Sequence, residues 1–225
     1  MTIEYNLNKI CSLLPVGVKL VAVSKTKTND EIMEAYRAGQ KIFGENKVQE
    51  LVGKWESLPK DIQWHFIGHL QSNKVRLIAP FISMVHSVDS YKLLRTINEE
   101  AKRAGRVIPC LLQFHIASEE GKFGFSTAEA DQIFASTIES DLENVAISGV
   151  MGMATFTDDL QQINREFFTL HEIYKKLKEG FFRGNDNFSE ISMGMSNDYL
   201  QAIENGSTMI RVGSTIFGER HPIKS

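Results

Sequence analysis

The sequence is 225 residues long, and its 25 lysines and arginines against 28 aspartates and glutamates give a formal net charge of −3. With 42% hydrophobic and 24% charged residues, the composition is that of a globular protein, which excludes a disordered or collagen-like chain. The mild acidity argues against a dedicated nucleic-acid surface, because such a surface requires a strongly basic balance.

The cysteines and the N-terminus indicate the cellular compartment. Cys11 and Cys110 provide no disulfide framework, which is typical of a protein from a reducing cytoplasm. Residues 1–17 lack the basic start, the apolar core and the small-residue cleavage site of a secretory signal. No segment approaches the roughly 18 apolar residues that a membrane helix needs. We therefore expect a soluble, cytoplasmic protein with neither a nucleic-acid nor a membrane partner.

Short apolar segments alternate with longer amphipathic ones along the whole chain. The apolar segments are rich in β-branched residues and flanked by Gly, Asn and Asp, which favours strands over buried helices. The predicted strands are residues 18–26, 41–46, 62–68, 83–89, 108–117, 145–156, 190–194 and 209–218.

Capping signals bound the segments between these strands. Ser90 and Gly105 are a predicted N-cap and a C-terminal stop. Thr28 and Asn29 are both candidate N-caps of an earlier helix that stops at Gly39. Ser196 is the predicted N-cap of a short helix. The predicted helices cover residues 28–39, 90–105, 158–179 and 196–206.

This alternation of strands and helices predicts parallel strands with helices on the outside. Both an open doubly wound sheet and a closed barrel satisfy the pattern. Eight strands in 225 residues favour an α/β fold of the (β/α)₈ TIM-barrel type, whose usual size is about 250 residues. No linker interrupts the order, so we expect one domain over residues 1–225. Since little chain follows the last predicted strand, a helix over residues 3–14 is expected to cover the barrel there.

In such a barrel, functional residues belong at the C-terminal ends of the strands. Side chains alternate along a strand, so Val21, Val23 and Lys25 share one side of the first strand and place a lysine at the rim of the barrel. Partial desolvation favours the neutral amine, which is a nucleophile toward aldehydes. A lysine that merely extends into solvent is the alternative, and Lys27 is a competing candidate.

The second candidate region is residues 192–218. Free backbone N–H groups near Ser196 attract anions, and phosphate sites of these barrels often use the loops after strands seven and eight. The last strand presents Arg211 and Gly213 on one face, and the pair Gly213–Ser214 lets the backbone approach a ligand closely. Caps and turns alone also explain Ser196 and Gly213, whereas a charge inside an apolar strand usually has a partner.

The remaining chemistry-bearing residues form no recognisable motif. The six histidines lack the HExxH spacing and the two cysteines form no zinc pattern, so we expect no metal site. His65 and His86 lie within predicted strands and are interpreted as core residues with satisfied hydrogen bonds.

Four ordered motifs resemble one family. They are AVSKTK (22–27), FGENKVQE (43–50), WHFIGHLQSNK (64–74) and the segment 192–218. All four resemble the YggS/PROSC family of pyridoxal 5′-phosphate (PLP) homeostasis proteins, and the similarity runs from about Val18 to Arg220. The resemblance implies a barrel like the N-terminal domain of alanine racemases, with PLP as the cofactor.

The resemblance also implies roles for single residues. It assigns the Schiff-base lysine to Lys25, contacts with the phosphate to Ser196 and to the backbone of Gly213 and Ser214, and a place beside the pyridine nitrogen to Arg211. Asn46 matches a family position near the cofactor. Lys122 resembles another recurring lysine near the barrel mouth, whose role stays open.

The resemblance and the site chemistry leave two hypotheses. An arginine beside the pyridine nitrogen disfavours protonation of the ring, and no sequence for the second domain of a racemase follows the predicted barrel. Both features favour a protein that holds PLP without strong catalytic turnover. We expect it to be a monomer. A PLP-dependent amino-acid racemase-like enzyme is the alternative. The proteins that would receive the cofactor are not indicated.

Overall fold

A closed barrel of eight parallel strands forms the centre of the molecule. The computed structural model describes residues 2–118, 123–126, 128–129 and 142–218. The strands are β1 (Lys19–Val23), β2 (Ile42–Glu45), β3 (Gln63–Phe66), β4 (Met84–Val88), β5 (Ile108–Gln113), β6 (Val145–Met151), β7 (Glu190–Ser192) and β8 (Met209–Val212). Each strand pairs with the next, and β8 pairs with β1, with Lys19 opposite Met209. This pairing confirms the barrel and excludes the open sheet.

Helices cover the outside of the barrel. They are α1 (Ile3–Leu13), α2 (Asn29–Arg37), α3 (Val48–Ser57), α4 (Val75–Ile78), α5 (Tyr91–Arg103), α6 (Leu160–Glu179), α7 (Tyr199–Glu204) and α8 (Ser214–Phe217). Thr28 caps α2 through a reciprocal capping box with Glu31, and the Ser90 hydroxyl accepts a hydrogen bond from the Leu93 amide at the start of α5. Both N-caps agree with the prediction.

Several strands end earlier than the sequence predicts. β1 ends at Val23 instead of residue 26, and β8 ends at Val212, where the predicted continuation forms α8 instead. The chain turns sharply after the strands, with Thr26 at φ 66° and Gly194 at φ 93°. Apolar composition continues beyond the strands because these turns fold back over the barrel mouth, so hydrophobicity alone overestimates strand length.

Side chains inside the barrel alternate with side chains that face the helices. The interior holds a small apolar cluster, whereas Leu20, Ala22 and Trp64 belong to the larger core between strands and helices. The members of the interior cluster are Val21, Met84, Leu111, Met151 and Met209. This alternation is the pleat of each strand, and it aims the next inward positions at the C-terminal mouth.

Helix α1 contacts both the second helix, α2, and the last helix of the described residues, α8. The Asn6 side-chain amide donates to the Ile216 carbonyl at 3.1 Å, and the Ile3 amide donates to the Glu34 carboxylate at 2.9 Å. Leu7 and Ile10 are the buried residues of this helix. Helix α1 therefore covers the barrel where α8, with only four residues, leaves the least cover.

Candidate ligand site at the barrel mouth

A cavity of about 450 Å³ opens at the C-terminal mouth of the barrel. The loops after β1, β2, β3, β7 and β8 contribute to its wall. All the site residues predicted from the sequence line this cavity: Lys25, Asn46, Ser196, Arg211, Gly213 and Ser214. A pocket of this size is typical of small-molecule sites.

Lys25 lies in a tight turn after β1 and is half-buried. The Ser24 amide donates to the Gly44 carbonyl at 3.0 Å, and the Lys27 amide donates to the Ser24 carbonyl at 3.0 Å. Thr26 adopts a left-handed backbone conformation at the centre of this turn. The turn, and not an extended strand as predicted, therefore places the lysine in the cavity wall.

The competing Lys27 has structural contacts. Its ammonium donates to the Phe217 carbonyl at 3.0 Å and lies 3.2 Å from the Glu31 carboxylate. These contacts connect the turn after β1 with α8 and α2. Lys27 is buried, and it lines the same cavity as Lys25.

A buried ion cluster supports the Lys25 turn from below. The Lys54 ammonium on α3 donates to the Ser24 carbonyl at 2.7 Å, to Glu45 at 2.7 Å and to Glu50 at 2.6 Å. Glu50 also accepts from the Thr26 amide at 2.6 Å. Burial raises the pKa of Glu45, against the opposing effect of Lys54. The sequence analysis missed this cluster because it predicted no helix there, although Glu50 and Lys54 have the i,i+4 spacing of a helical ion pair.

Ser196 faces Gly213 across the cavity wall, and its hydroxyl accepts a hydrogen bond from the Gly213 amide at 3.2 Å. Helix α7 begins at Tyr199 with Asp198 as its N-cap, so the prediction that Ser196 caps this helix is wrong. Asp198 takes the position because its carboxylate accepts from the Met195 amide and closes the turn that contains Ser196.

The backbone of Gly213 and Ser214 lies opposite Ser196 in the cavity wall, and these three residues form the predicted phosphate subsite. A Cβ at Gly213 would lie 3.2 Å from the Val23 carbonyl oxygen, so a side chain there would crowd β1. The amides of Ile216 and Phe217 donate to the Gly213 carbonyl. The amides of Ser214 and Thr215 precede these two hydrogen bonds. The first amides of a helix have no acceptor within the helix, so these two can donate to an anion.

Arg211 forms the floor of the cavity. Its guanidinium donates to the Ser192 hydroxyl at 2.7 Å and to the Gly152 carbonyl at 3.0 Å. Burial lowers its pKa to about 10, and the nearby Asp198 carboxylate acts in the opposite direction, so the side chain stays cationic at pH 7. The sequence predicts a partner for this interior charge. The structure provides two neutral acceptors, Ser192 and Gly152, and the Asp198 carboxylate at longer range.

Asn46 follows β2 and is half-buried in the cavity wall. Gly68, after β3, packs directly against it, because a Cβ at Gly68 would lie 2.4 Å from the Asn46 carbonyl oxygen. This close approach fixes the backbone of Asn46 and requires glycine at position 68.

Aromatic residues form the outer rim of the cavity. Phe123 and Phe156 are exposed, and the His69 ring stacks on Phe123 with centroids 4.1 Å apart. His69 also lies 3.1 Å from the Asp89 carboxylate. The sequence analysis gave His69 no role, and its place at the rim could not be read from a variable motif position. Lys122 lies outside the described residues.

No group of His, Cys, Asp and Glu in the described ranges could hold a metal ion. Of the helices that the structure describes, none is long and apolar enough to cross a membrane.

Comparison with known proteins agrees with this fold. The chain matches the family of the alanine racemase N-terminal domain over residues 1–221. An alanine racemase from E. faecalis has a TM-score of 0.72 at 16% identity, covering 98% of this chain and 58% of the racemase, which shows the fold alone. The fold and the site thus define a barrel of the alanine racemase N-terminal class.

Other relatives resemble the chain over nearly its whole length. The pyridoxal phosphate homeostasis protein of Vibrio alginolyticus is 38% identical over 223 residues, which cover 97% of this chain and 93% of that protein. PipY of Synechococcus elongatus PCC7942 without PLP has a TM-score of 0.90 at 35% identity, covering 96% of this chain and 100% of PipY. A structure of PipY with PLP bound has a TM-score of 0.84. The chain belongs to the YggS/PROSC family of pyridoxal phosphate homeostasis proteins.

Proposed function

We propose that this protein binds PLP in the barrel-mouth cavity and takes part in PLP homeostasis, holding the cofactor without strong catalytic turnover. The observation that carries the proposal is that Lys25, the buried Arg211 and the Gly213–Ser214 backbone all line one cavity. PLP binding by PipY and the names of the relatives support it. The proposal places the protein in the cytoplasm as a monomer, in keeping with its two free cysteines.

The residues present fit the chemistry of PLP. The cofactor has an aldehyde, a phosphate and a pyridine nitrogen, and the cavity has a group suited to each. Lys25 offers an amine, Ser196 with the Gly213–Ser214 backbone offers donors for an anion, and Arg211 offers a cationic donor on the floor. The tight fit of Gly213 against Val23 requires glycine at this position of the cavity wall.

Lys25 is the attachment point in this proposal. When PLP is bound, the Lys25 amine would hold it through the aldehyde, with loss of the aldehyde oxygen as water. The phosphate donors of Ser196 and the Gly213–Ser214 backbone would hold the other end of the cofactor. The match of AVSKTK (22–27) to the family motif supports the choice of Lys25 over Lys27.

Arg211 supports a binding role over catalysis. When bound, PLP can act as an electron sink for amino-acid carbanions, and that chemistry is strongest with a protonated ring. A guanidinium that stays cationic on the cavity floor disfavours a second positive charge beside it. Weak racemase-like activity is the alternative, favoured by the match to the alanine racemase N-terminal domain family.

Absorbance and mass spectrometry test the attachment. PLP added to the protein should give a band near ~420 nm, and borohydride should fix the adduct on a peptide that contains Lys25. Lys25→Ala should abolish both signals, whereas Lys47→Ala, which removes an exposed lysine after β2, should preserve them. An adduct on Lys27 in the unmodified protein would contradict the assignment.

A further inference from the structure

A continuous chain of hydrogen bonds runs through the barrel interior beneath Arg211. The Arg211 guanidinium donates to the Ser192 hydroxyl, whose oxygen lies 2.9 Å from Nδ1 of His86. Nε2 of His86 lies 2.8 Å from Nδ1 of His65. These residues come from β8, β7, β4 and β3, so the chain crosses the barrel and joins strands that are not neighbours in the sheet.

The donors and acceptors of this chain fix the positions of its protons. Arginine can only donate, so the Ser192 oxygen accepts, and the hydroxyl has one hydrogen left to give. Within the described residues, its other hydrogen-bond contact is Nδ1 of His86, and the hydroxyl hydrogen has an acceptor there only when this nitrogen is unprotonated. A neutral His86 then carries its proton on Nε2 and donates to Nδ1 of His65, which carries its own proton on Nε2 as well.

Burial keeps both rings neutral. His86 is fully buried and His65 is 4% exposed. Desolvation lowers the pKa of His65 to about 3, and the charge of Lys19 adds to that effect. Desolvation also lowers the pKa of His86, with His65 and Arg211 acting in the same direction. Glu190 pairs with Lys19 at the base of the barrel. The hydrogen-bonded series of Ser192, His86 and His65 is therefore neutral and places no negative charge next to Arg211.

A neutral anchor has a definite consequence for the cavity floor. The Ser192 hydroxyl and the Gly152 carbonyl hold two nitrogens of the guanidinium, which sets the orientation of its plane. A carboxylate in place of Ser192 would hold the arginine equally well but would cancel its charge. The neutral chain instead fixes the arginine and leaves its positive charge directed at the ligand.

We propose that Ser192, His86 and His65 are positioning residues for Arg211. They hold it through a series of hydrogen bonds in which each group donates to the next, and the arginine in turn keeps the pyridine nitrogen of bound PLP unprotonated. This inference rests on the proposed function, because it assigns the floor of the cavity to the pyridine ring. None of the three residues is assigned contact with the cofactor; they act through Arg211.

Imidazole nitrogen resonances of the free protein test the proton direction without any cofactor. Long-range ¹H–¹⁵N spectra should show His65 and His86 as neutral rings protonated on Nε2 between pH 6 and pH 8. A proton on Nδ1 of both rings would mean the opposite direction, with His86 donating to Ser192. That result, or a charged ring, would overturn the proposed chain.

The effect on the cofactor is tested with PLP labelled with ¹⁵N in the pyridine ring. In the unmodified protein its resonance should be that of an unprotonated acceptor. Ser192→Ala should move the resonance toward the protonated position and weaken PLP binding about tenfold, the effect of losing one hydrogen bond to a charged group. Ser148→Ala, which removes a similarly buried hydroxyl on β6, should leave the resonance unchanged.

Substitutions of His86 separate positioning from mere stability. His86→Gln supplies an acceptor and a donor on one amide and should keep the pyridine resonance near its original position, whereas His86→Leu should shift it as Ser192→Ala does. Variants that lower only the unfolding midpoint, with an unchanged resonance, would overturn the positioning role. If the unmodified protein does not bind PLP, the proposed function and the role toward the ring both fail, while the spectra of the free protein still decide the proton direction.

Discussion

Replacement of Lys54 by methionine should destabilise the fold strongly, because it leaves a buried carboxylate without its cation. The side chains of Lys54 and Glu45 are 7% and 0% exposed, and their charged groups lie 2.7 Å apart. Removal of one partner of a buried ion pair costs about 3–5 kcal/mol, since the remaining charge stays desolvated. For a chain of this size, that loss corresponds to a fall of about 6–20 °C in the unfolding midpoint.

Thermal and urea unfolding at pH 7, followed by circular dichroism, measure this loss. The exposed pair of Lys41 and Asp61 provides a matched control, and Lys41→Met should leave the midpoint within the error of the measurement. The double variant Glu45→Gln/Lys54→Met should recover more than about half of the lost stability, because it contains no unpaired buried charge.

The pH dependence gives a second measure of the same effect. Burial already raises the pKa of Glu45 in the folded protein, and loss of Lys54 removes two effects that lower it. The folded variant therefore takes up a proton at higher pH than the unfolded chain, so its stability falls as the pH rises. The deficit of Lys54→Met should be largest near pH 7 and shrink toward pH 5. An equal deficit at both values, or no recovery in the double variant, would refute the reasoning.

Three further predictions concern the ligand and the interior. Pyridoxal without its phosphate should bind about 100-fold more weakly than PLP, and Ser196→Ala should cost about tenfold or less because backbone donors remain; equal affinities in a titration would contradict the phosphate subsite. Incubation of L-amino acids with the PLP-loaded protein in deuterated water should give only trace α-deuterium, and a kcat of roughly 1–10³ s⁻¹ abolished by Lys25→Ala would favour the enzyme instead. Between pH 6.5 and pH 5, His65 alone should reduce the free energy of unfolding by about 2 kcal/mol, because its pKa of about 3 keeps it neutral in the fold while the unfolded ring takes up a proton. His65→Gln should flatten that part of the urea-derived stability curve, and parallel curves would exclude the effect.

The sequence was sufficient to predict the barrel because its strands and helices have different hydrophobic periods. Val21 lies in the interior cluster, as the alternation along the first strand requires, and Thr28 and Ser90 cap their helices as predicted. Such signals are local, and the parallel pairing follows from their order. The segment after β2 was missed because α3 has no side-chain cap, so no boundary marks its start.

The site residues were found more readily than the contacts that support them. Lys25 and Arg211 stand out because each is a charge next to or within an apolar strand. The link from Arg211 through Ser192 to His86 depends on strands far apart in the chain, and no spacing in a single sequence records it. Ser196 was assigned as a cap because serine often caps helices, yet the adjacent Asp198 takes that position.

The pairing of β1 with β8 has a consequence for the order of events during synthesis. Lys19 and Met209 are about 190 positions apart, so at about 5–20 residues per second the first strand leaves the ribosome some 10–40 s before its partner exists. Lys25 lies in the turn after the first of these strands, while Ser196 and Gly213 lie on either side of the last. The attachment group and the phosphate donors therefore meet only when the ring closes. A ligand that needs both halves recognises only completed molecules, and each binding event favours the closed ring over its open precursors.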